Sequence, residues 1–347
     1  GDTAMGMMLK YGSESAKSFY LNYLVEPRFS KAHQDGEIHI HDLDFYSLTM
    51  TCCQIDLIKL FKGGFSTGNG FLREPNDIRS YSALACIAIQ ANQNDQHGGQ
   101  SIPNFDYSMA LGVRKTYRKL YMANLAKLLE FVKGEDCTEK VKELIETIEK
   151  KHQFKIAMVR PDIDQMVAEE VKNTFALDDA TTQKIMKETV NASYKETRRA
   201  TYQAMEALLC NLNTMHSRAG AQVPFSSINY GTDTSEEGRM VMDCLLDATE
   251  AGLGDGETPI FPIQIFKVKE GISYNPGDKN YDLFKKSLVV SGKRLFPNYS
   301  FIDAPFNLQY YKEGDYNTEI AYMGCRTRVI ANVYDPTKEI VTGRGNL

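Results

Sequence analysis

Apolar positions recur at helical spacing over most of the first two thirds of the chain. The spacing predicts helices over residues 13–25, 77–92 and about 106–131, and a long one over 182–217 with Gly220 as its stop. Val141, Leu144, Ile145 and Ile148 follow the i, i+3, i+4, i+7 pattern inside a shell of lysine and glutamate, which predicts a small amphipathic hairpin on the outside. Between the early helices, residues 38–44 alternate polar and apolar with period two, and residues 63–70 form a glycine-rich loop. After Gly220 the rhythm changes. Strand-like 223–230, helical 235–253, strand-like 260–267, helical 282–294 and strand-like 299–302 alternate as βαβα, which predicts an α/β fold with a parallel sheet or barrel and crossover helices. The chain contains no internal repeat and no low-complexity tract, and one barrel-like domain over residues 1–347 accommodates it.

Composition narrows the setting. Seven cysteines, at positions 52, 53, 86, 137, 210, 244 and 325, lack the dense spacing of a secreted disulfide framework, which points to a reducing compartment. The sequence shows neither a run of about eighteen apolar residues nor a basic segment followed by an apolar stretch, so a cytoplasmic protein without a membrane partner is expected. The net charge of −5 has its signs interspersed, which argues against a nucleic-acid surface and leaves a small nucleotide as the phosphate-bearing partner. The chain starts at Gly1 without a methionine and stops after Gly345, Asn346 and Leu347, as a piece of a longer protein would.

One cysteine sits in an unusual place. Cys325 follows Ala321, Tyr322, Met323 and Gly324, and its other flank runs through an alternating stretch to the turn residues Asp335 and Pro336. A buried structural thiol is the commonest fate of a lone cysteine. A polar nucleophile would want a histidine base, and none of the six histidines is near it in sequence. Zinc would want Cys-x-x-Cys pairs, which the chain lacks. The remaining reading is a cysteine projected on a finger into a barrel, with Gly324 allowing the sharp approach and Arg326 and Thr327 bracing it.

The segment Met323-Gly324-Cys325-Arg326, followed by Gly343-Arg344-Gly345-Asn346-Leu347, resembles the anaerobic (class III) ribonucleoside-triphosphate reductases of the glycyl radical family. His39-Ile40-His41-Asp42-Leu43-Asp44, Cys52-Cys53-Gln54-Ile55-Asp56-Leu57, Gly98-Gly99-Gln100-Ser101 and residues 222–230 resemble the same family in the same order. The resemblance covers about the N-terminal half of that family's catalytic domain. It implies a ten-stranded α/β barrel of two half-barrels, here partial, with a finger loop that carries a thiyl radical to its centre.

The same resemblance implies roles. Cys325 is the radical cysteine, because an S–H bond is close in strength to a ribose C3′–H bond and the abstraction is then reversible. Cys52 aligns with the second cysteine of the formate-using members, with formate as reductant, and Cys53 is its buried neighbour. Asn346 stands where an asparagine contacts the ribose hydroxyls, an amide being able to donate and accept without changing charge. His39 and His41 face the substrate end, Gly98 and Gly99 join two helices and let backbone amides approach phosphate, and Ser226 and Ser227 hold substrate phosphate. Each has a plain counterpart: histidines bracing Asp42 or Asp44, a flexible connection, hydroxyls pairing with a neighbouring strand. The helices over 77–92 and 106–131 fall where the family dimerises and binds a deoxynucleoside triphosphate or ATP effector, with Arg114, Lys115 and Arg118 on its phosphate. A solvated charged face is the alternative for that cluster.

Two segments of the family pattern are not found: the Arg-Val-x-Gly-Tyr loop of the glycyl radical and the cysteine pairs of the zinc module. An ATP-sensing cone is not found either, and this chain is assigned no metal. The family also implies an activating enzyme that uses S-adenosylmethionine and an iron-sulfur cluster. Three functions fit: a catalytic half of an anaerobic ribonucleotide reductase, inactive alone; another glycyl radical enzyme such as an acyl lyase or dehydratase; or a fragment that only binds deoxynucleotide and dimerises.

Overall fold

Residues 3–48, 51–218, 222–324, 327–330 and 335 are described by a computed structural model. Helices α1 (Ala4–Tyr23) and α2 (Pro27–Gln34) lead to a short strand β1 (Cys53–Gln54), helix α3 (Leu57–Phe61) and a small hairpin of β2 (Phe65–Ser66) and β3 (Phe71–Leu72). Helix α4 (Ile78–Asp95), strand β4 (Gln100–Ile102) and helices α5 (Phe105–Lys133), α6 (Thr138–His152), α7 (Pro161–Phe175) and α8 (Asp179–Thr214) follow. The chain then alternates β5 (Ser226–Tyr230), α9 (Glu236–Ala251), β6 (Ile263–Val268), α10 (Tyr281–Arg294) and β7 (Asn298–Phe301), and closes with the hairpin β8 (Ala321–Met323) and β9 (Thr327–Val329).

Local chemistry explains the helix boundaries. The Asp77 carboxylate accepts from the Ser80 amide at the start of α4, and Asp178 and Ser235 cap α8 and α9 in the same way. Gly134, in the left-handed region, ends α5. Helix α8 stops at Thr214, six residues before Gly220, which lies outside the described residues.

Among the described residues, five parallel strands form one sheet in the order β1-β4-β5-β6-β7. This is the expected α/β class, with a sheet the size of one half of the ten-stranded barrel. Residues 38–44 run as a loop: Asp42 has φ +50, Leu43–Phe45 is a single 3-10 turn, and Leu43 is buried under α1 with Ile40 packed beside it. One expectation is corrected. Gly98 and Gly99 do not join two helices but lead from α4 into β4.

The pleat separates two chemistries. One face carries Cys53, Ile102, Ile228, Tyr230, Phe266 and Val268 into the main core under α4, α5, α8 and α9. Residues one step along, Ser101, Ser227, Asn229 and Lys267, point to the opposite face, and all four are buried. A parallel sheet is normally apolar on both faces. This one has a polar inner face, and the β8–β9 hairpin lies against it.

Candidate functional site

Cys52 lies just before β1 with φ +62. The turn between α4 and β4 holds it on three sides. Its amide donates to the His97 carbonyl at 2.9 Å, its carbonyl accepts from Gln96 Nε2 at 2.8 Å, and the Gly99 amide donates to its Sγ at 3.1 Å. Cys53 is turned to the other face and buried, and burial raises its thiol pKa. Burial pushes Cys86 and Cys244 up to about 12, which keeps them protonated and inert.

Gly98 is a steric necessity, and Gly99 marks a close approach. Gly98 has φ +90, and a side chain there would meet the Cys52 amide nitrogen at 2.7 Å and its sulfur at 2.8 Å. A Cβ on Gly99 would stand 3.3 Å from the Cα and N of Gly324 and from the Phe225 ring. Gly99 therefore touches Cys52 on one side and the hairpin on the other. Cys52 also packs against the cluster of Ala321, Met323 and Val329. The residue before Cys325 and the Cys52 thiol thus converge on one glycine. Cys325 and Asn346 themselves lie outside the described residues.

The hairpin is clamped from the sheet. The Ser227 Oγ accepts from the Gly324 amide at 3.2 Å, Ser101 Oγ donates to the Tyr322 carbonyl at 2.8 Å, and the Asn229 side chain holds both backbone groups of Tyr322. Three residues earlier Glu319, fully buried, pairs with Lys267 Nζ at 2.5 Å and accepts from Thr232 at 2.8 Å. Burial raises the Glu319 pKa, opposed by the ammonium beside it.

Of the serine pair, only Ser227 faces the hairpin. Ser226 points to the helix face, where its buried hydroxyl has no protein partner. His39 and His41 lie beside each other, Nε2 to Nδ1 3.4 Å, and both are exposed. They approach the cysteine turn through Asp42, which lies 3.6 Å from His41 and 3.1 Å from His97, whose ring stacks on Phe45. The three basic residues singled out on α5 are each matched to a carboxylate: Arg114 to Glu237, Lys115 to Glu74 at 3.0 Å, and Arg118 at 2.7 Å to the buried Glu149. A second group of cations, of which the sequence pointed only to Lys119 beside the α5 cluster, lines a cavity of about 580 Å³ between α4, α5 and α8: Arg79, Lys119 and Arg199, with Asp77 and Glu196. A further cavity of about 470 Å³ lies between β1, α4 and the segment before β8, lined by Cys53, Asp56, Asn92 and Tyr316 among others.

A family model described as anaerobic ribonucleoside-triphosphate reductase matches residues 1–347. The chain belongs to this family. The anaerobic ribonucleoside-triphosphate reductase of Enterobacteria phage T4 is 28% identical over 91% of this chain and 42% of its own length. That of Escherichia coli K12 is 25% identical over 96% of this chain and 38% of its own. The chain therefore spans about two fifths of the length of these relatives. Among solved structures, the Thermotoga maritima anaerobic ribonucleotide reductase in complex with dATP and CTP aligns with a TM-score of 0.48 at 12% identity, over 87% of this chain and 42% of that one.

Membership in the anaerobic reductase family gives the four polar inner-face residues a setting. Ser101, Ser227, Asn229 and Lys267 all serve the segment that runs to Cys325, directly or through Glu319. Sequence reading singled out only Ser227 among them. Nothing local marks the other three, because their partners are 52 to 221 residues away.

Proposed function

We propose that the complete protein containing this chain reduces ribonucleoside triphosphates to 2′-deoxyribonucleoside triphosphates by thiyl radical chemistry, with formate as reductant. The observation that carries this reading is the convergence of Cys52 and Gly324 on Gly99. Cys325 takes the 3′-hydrogen atom of the ribose and returns it at the end. Cys52 gives its one S–H hydrogen as a proton to the 2′-hydroxyl, which leaves as water, and a proton from solvent restores the thiol; the hydrogen that replaces the hydroxyl on the carbon comes from formate. Formate provides the two electrons and departs as carbon dioxide. The Gly99 amide donates to the Cys52 sulfur and fixes its position in the turn. Asn346 holds the ribose hydroxyls, while Gly98, Gly99, Ser227, His39 and His41 belong to the substrate end; Ser226, turned to the helix face, does not. A glycyl residue in another segment of the protein would store the radical, placed there by an activating enzyme that uses S-adenosylmethionine and an iron-sulfur cluster.

Effector binding and a homodimer belong to the same proposal. A deoxynucleoside triphosphate or ATP would place its phosphates against the long helices. Arg114, Lys115 and Arg118 are on α5, but the Arg79, Lys119 and Arg199 groove offers cations less committed to buried carboxylates.

Two variants of the complete, activated protein test the catalytic reading. Cys325→Ser removes deoxynucleotide formation and also hydrogen exchange at C3′, since an O–H bond is too strong for the cycle. Cys52→Ser keeps the exchange at C3′ and loses the product. Deoxynucleotide made by Cys325→Ser would overturn the assignment.

A further inference from the structure

We propose that Asn229 is the positioning residue of the finger: its side-chain amide takes the place of a neighbouring strand and fixes the register at which β8 delivers Gly324 beside Gly99 and Cys52. This rests on the reading of Cys325 as the hydrogen-abstracting residue.

The geometry is that of a strand pairing made by one side chain. Asn229 Oδ1 accepts from the Tyr322 amide at 2.8 Å, and Nδ2 donates to the Tyr322 carbonyl at 2.9 Å. Nδ2 also lies 3.2 Å from the Ile102 carbonyl and 3.3 Å from Ser101 Oγ, so the amide bridges β4, β5 and β8. Strand β8 spends its other edge on β9, through Ala321 with Val329 and Met323 with Thr327. Its remaining edge meets the face of a sheet, where no backbone ladder can form, and an unpaired buried Tyr322 N–H and C=O would each be costly.

An amide side chain presents a donor and an acceptor side by side on one carbon, so it can satisfy both groups of one residue at once. Serine offers one hydroxyl. A carboxylate would keep the acceptor but direct charge at the Tyr322 and Ile102 carbonyls. The Asn229 side chain has no exposure, which makes the pairing selective for register. A slip of one residue would move the tip by about 3.3 Å, the rise along a strand. Ser227 on Gly324 and the Lys267–Glu319 pair bracket this contact two residues above and three below. They hold the ends of the segment, and Asn229 holds its register.

The test uses the complete protein, compared as wild type, Asn229→Ala, Asn229→Asp and Ser101→Ala. Before activation, hydrogen exchange is followed across the peptide containing Tyr322 and Gly324. Exchange there should rise about tenfold or more in both Asn229 variants while β5 and β6 keep their protection. After activation, kcat should fall about a hundredfold, the cost expected of an ångström-scale misplacement, with KM for the nucleotide within about twofold. Ser101→Ala, which leaves both Asn229 bonds, should show a smaller change in exchange and in kcat. If Asn229→Ala does not fold, the isosteric Asn229→Asp carries the comparison. Unchanged exchange around Tyr322, kcat within about threefold of wild type, or a fall in kcat without the exchange change would each overturn the proposal. The exchange measurement needs no turnover, so it stands or falls independently of Cys325→Ser, which tests the chemistry itself.

Discussion

At Gly98 the sequence suggested freedom, and the structure shows a constraint. Its φ of +90 and the 2.7 Å approach to the Cys52 amide leave no room for a methyl group. Gly98→Ala should therefore lose about 2 to 4 kcal/mol, from the left-handed backbone and the overpacked turn together, read by urea unfolding. A loss below about 0.5 kcal/mol would mean that the turn relocates freely and does not fix Cys52. A second residue gives a pH signature. Asp233 is buried beside Asp106, and burial followed by that neighbouring carboxylate pushes its pKa up to about 6. The folded state then holds a proton that the unfolded chain releases near its ordinary value of 3.8. Stability from the neutral form is fully present below that value and is lost as pH rises through about 6. The loss should be of the order of 2 kcal/mol, and Asp233→Asn should flatten this part of the profile. The same pH slope in the variant would assign the proton to another group.

Elements were legible where one face does the burying. Helices α4, α5 and α8 and the βαβα series appear close to their expected places because apolar spacing and capping residues such as Asp77 and Ser235 are local signals. Strand β4 was missed because three residues, Gln100–Ile102, carry too little pattern, and the alternation over residues 38–44 left strand and loop open because alternation alone does not supply a partner strand. The inner-face polar network was invisible for the opposite reason: Lys267 on β6 meets Glu319 only after 52 intervening steps of chain. That pair makes a clear prediction about how the hairpin is joined to the sheet. Lys267→Met leaves the Glu319 carboxylate buried without its ammonium and should cost about 3 to 5 kcal/mol. Adding Glu319→Met should recover at least half of the loss, because a matched apolar pair no longer pays for desolvation. Additive losses in the double variant would show that the two residues act separately.

At the scale of the whole molecule the proposed effector helices and the β8–β9 hairpin lie on opposite faces of the sheet. Helices α4, α5 and α8 form the outer layer on the other face and enclose the groove of Arg79, Lys119 and Arg199. Arg118 is poorly suited to report on phosphate, since reversing its charge sets a carboxylate against the buried Glu149 and leaves Lys155 as its one cation. Arg199 is exposed in the groove and can be reversed without that penalty. A deoxynucleoside triphosphate that binds the folded complete protein should raise its melting temperature by mass action, by an amount equivalent to about 2.7 kcal/mol at a hundredfold excess over Kd. Arg199→Glu should shrink that rise, and Lys140→Glu, on the distant α6, should leave it unchanged. If Arg199→Glu keeps the full shift while a phosphate-contacting role is lost with Arg114→Gln, the effector lies along α5 and not in the groove. A protein shown to be folded that gives no shift with any of the four deoxynucleotides would remove effector binding from these helices and leave the cysteine turn and its clamped hairpin as the function of this chain.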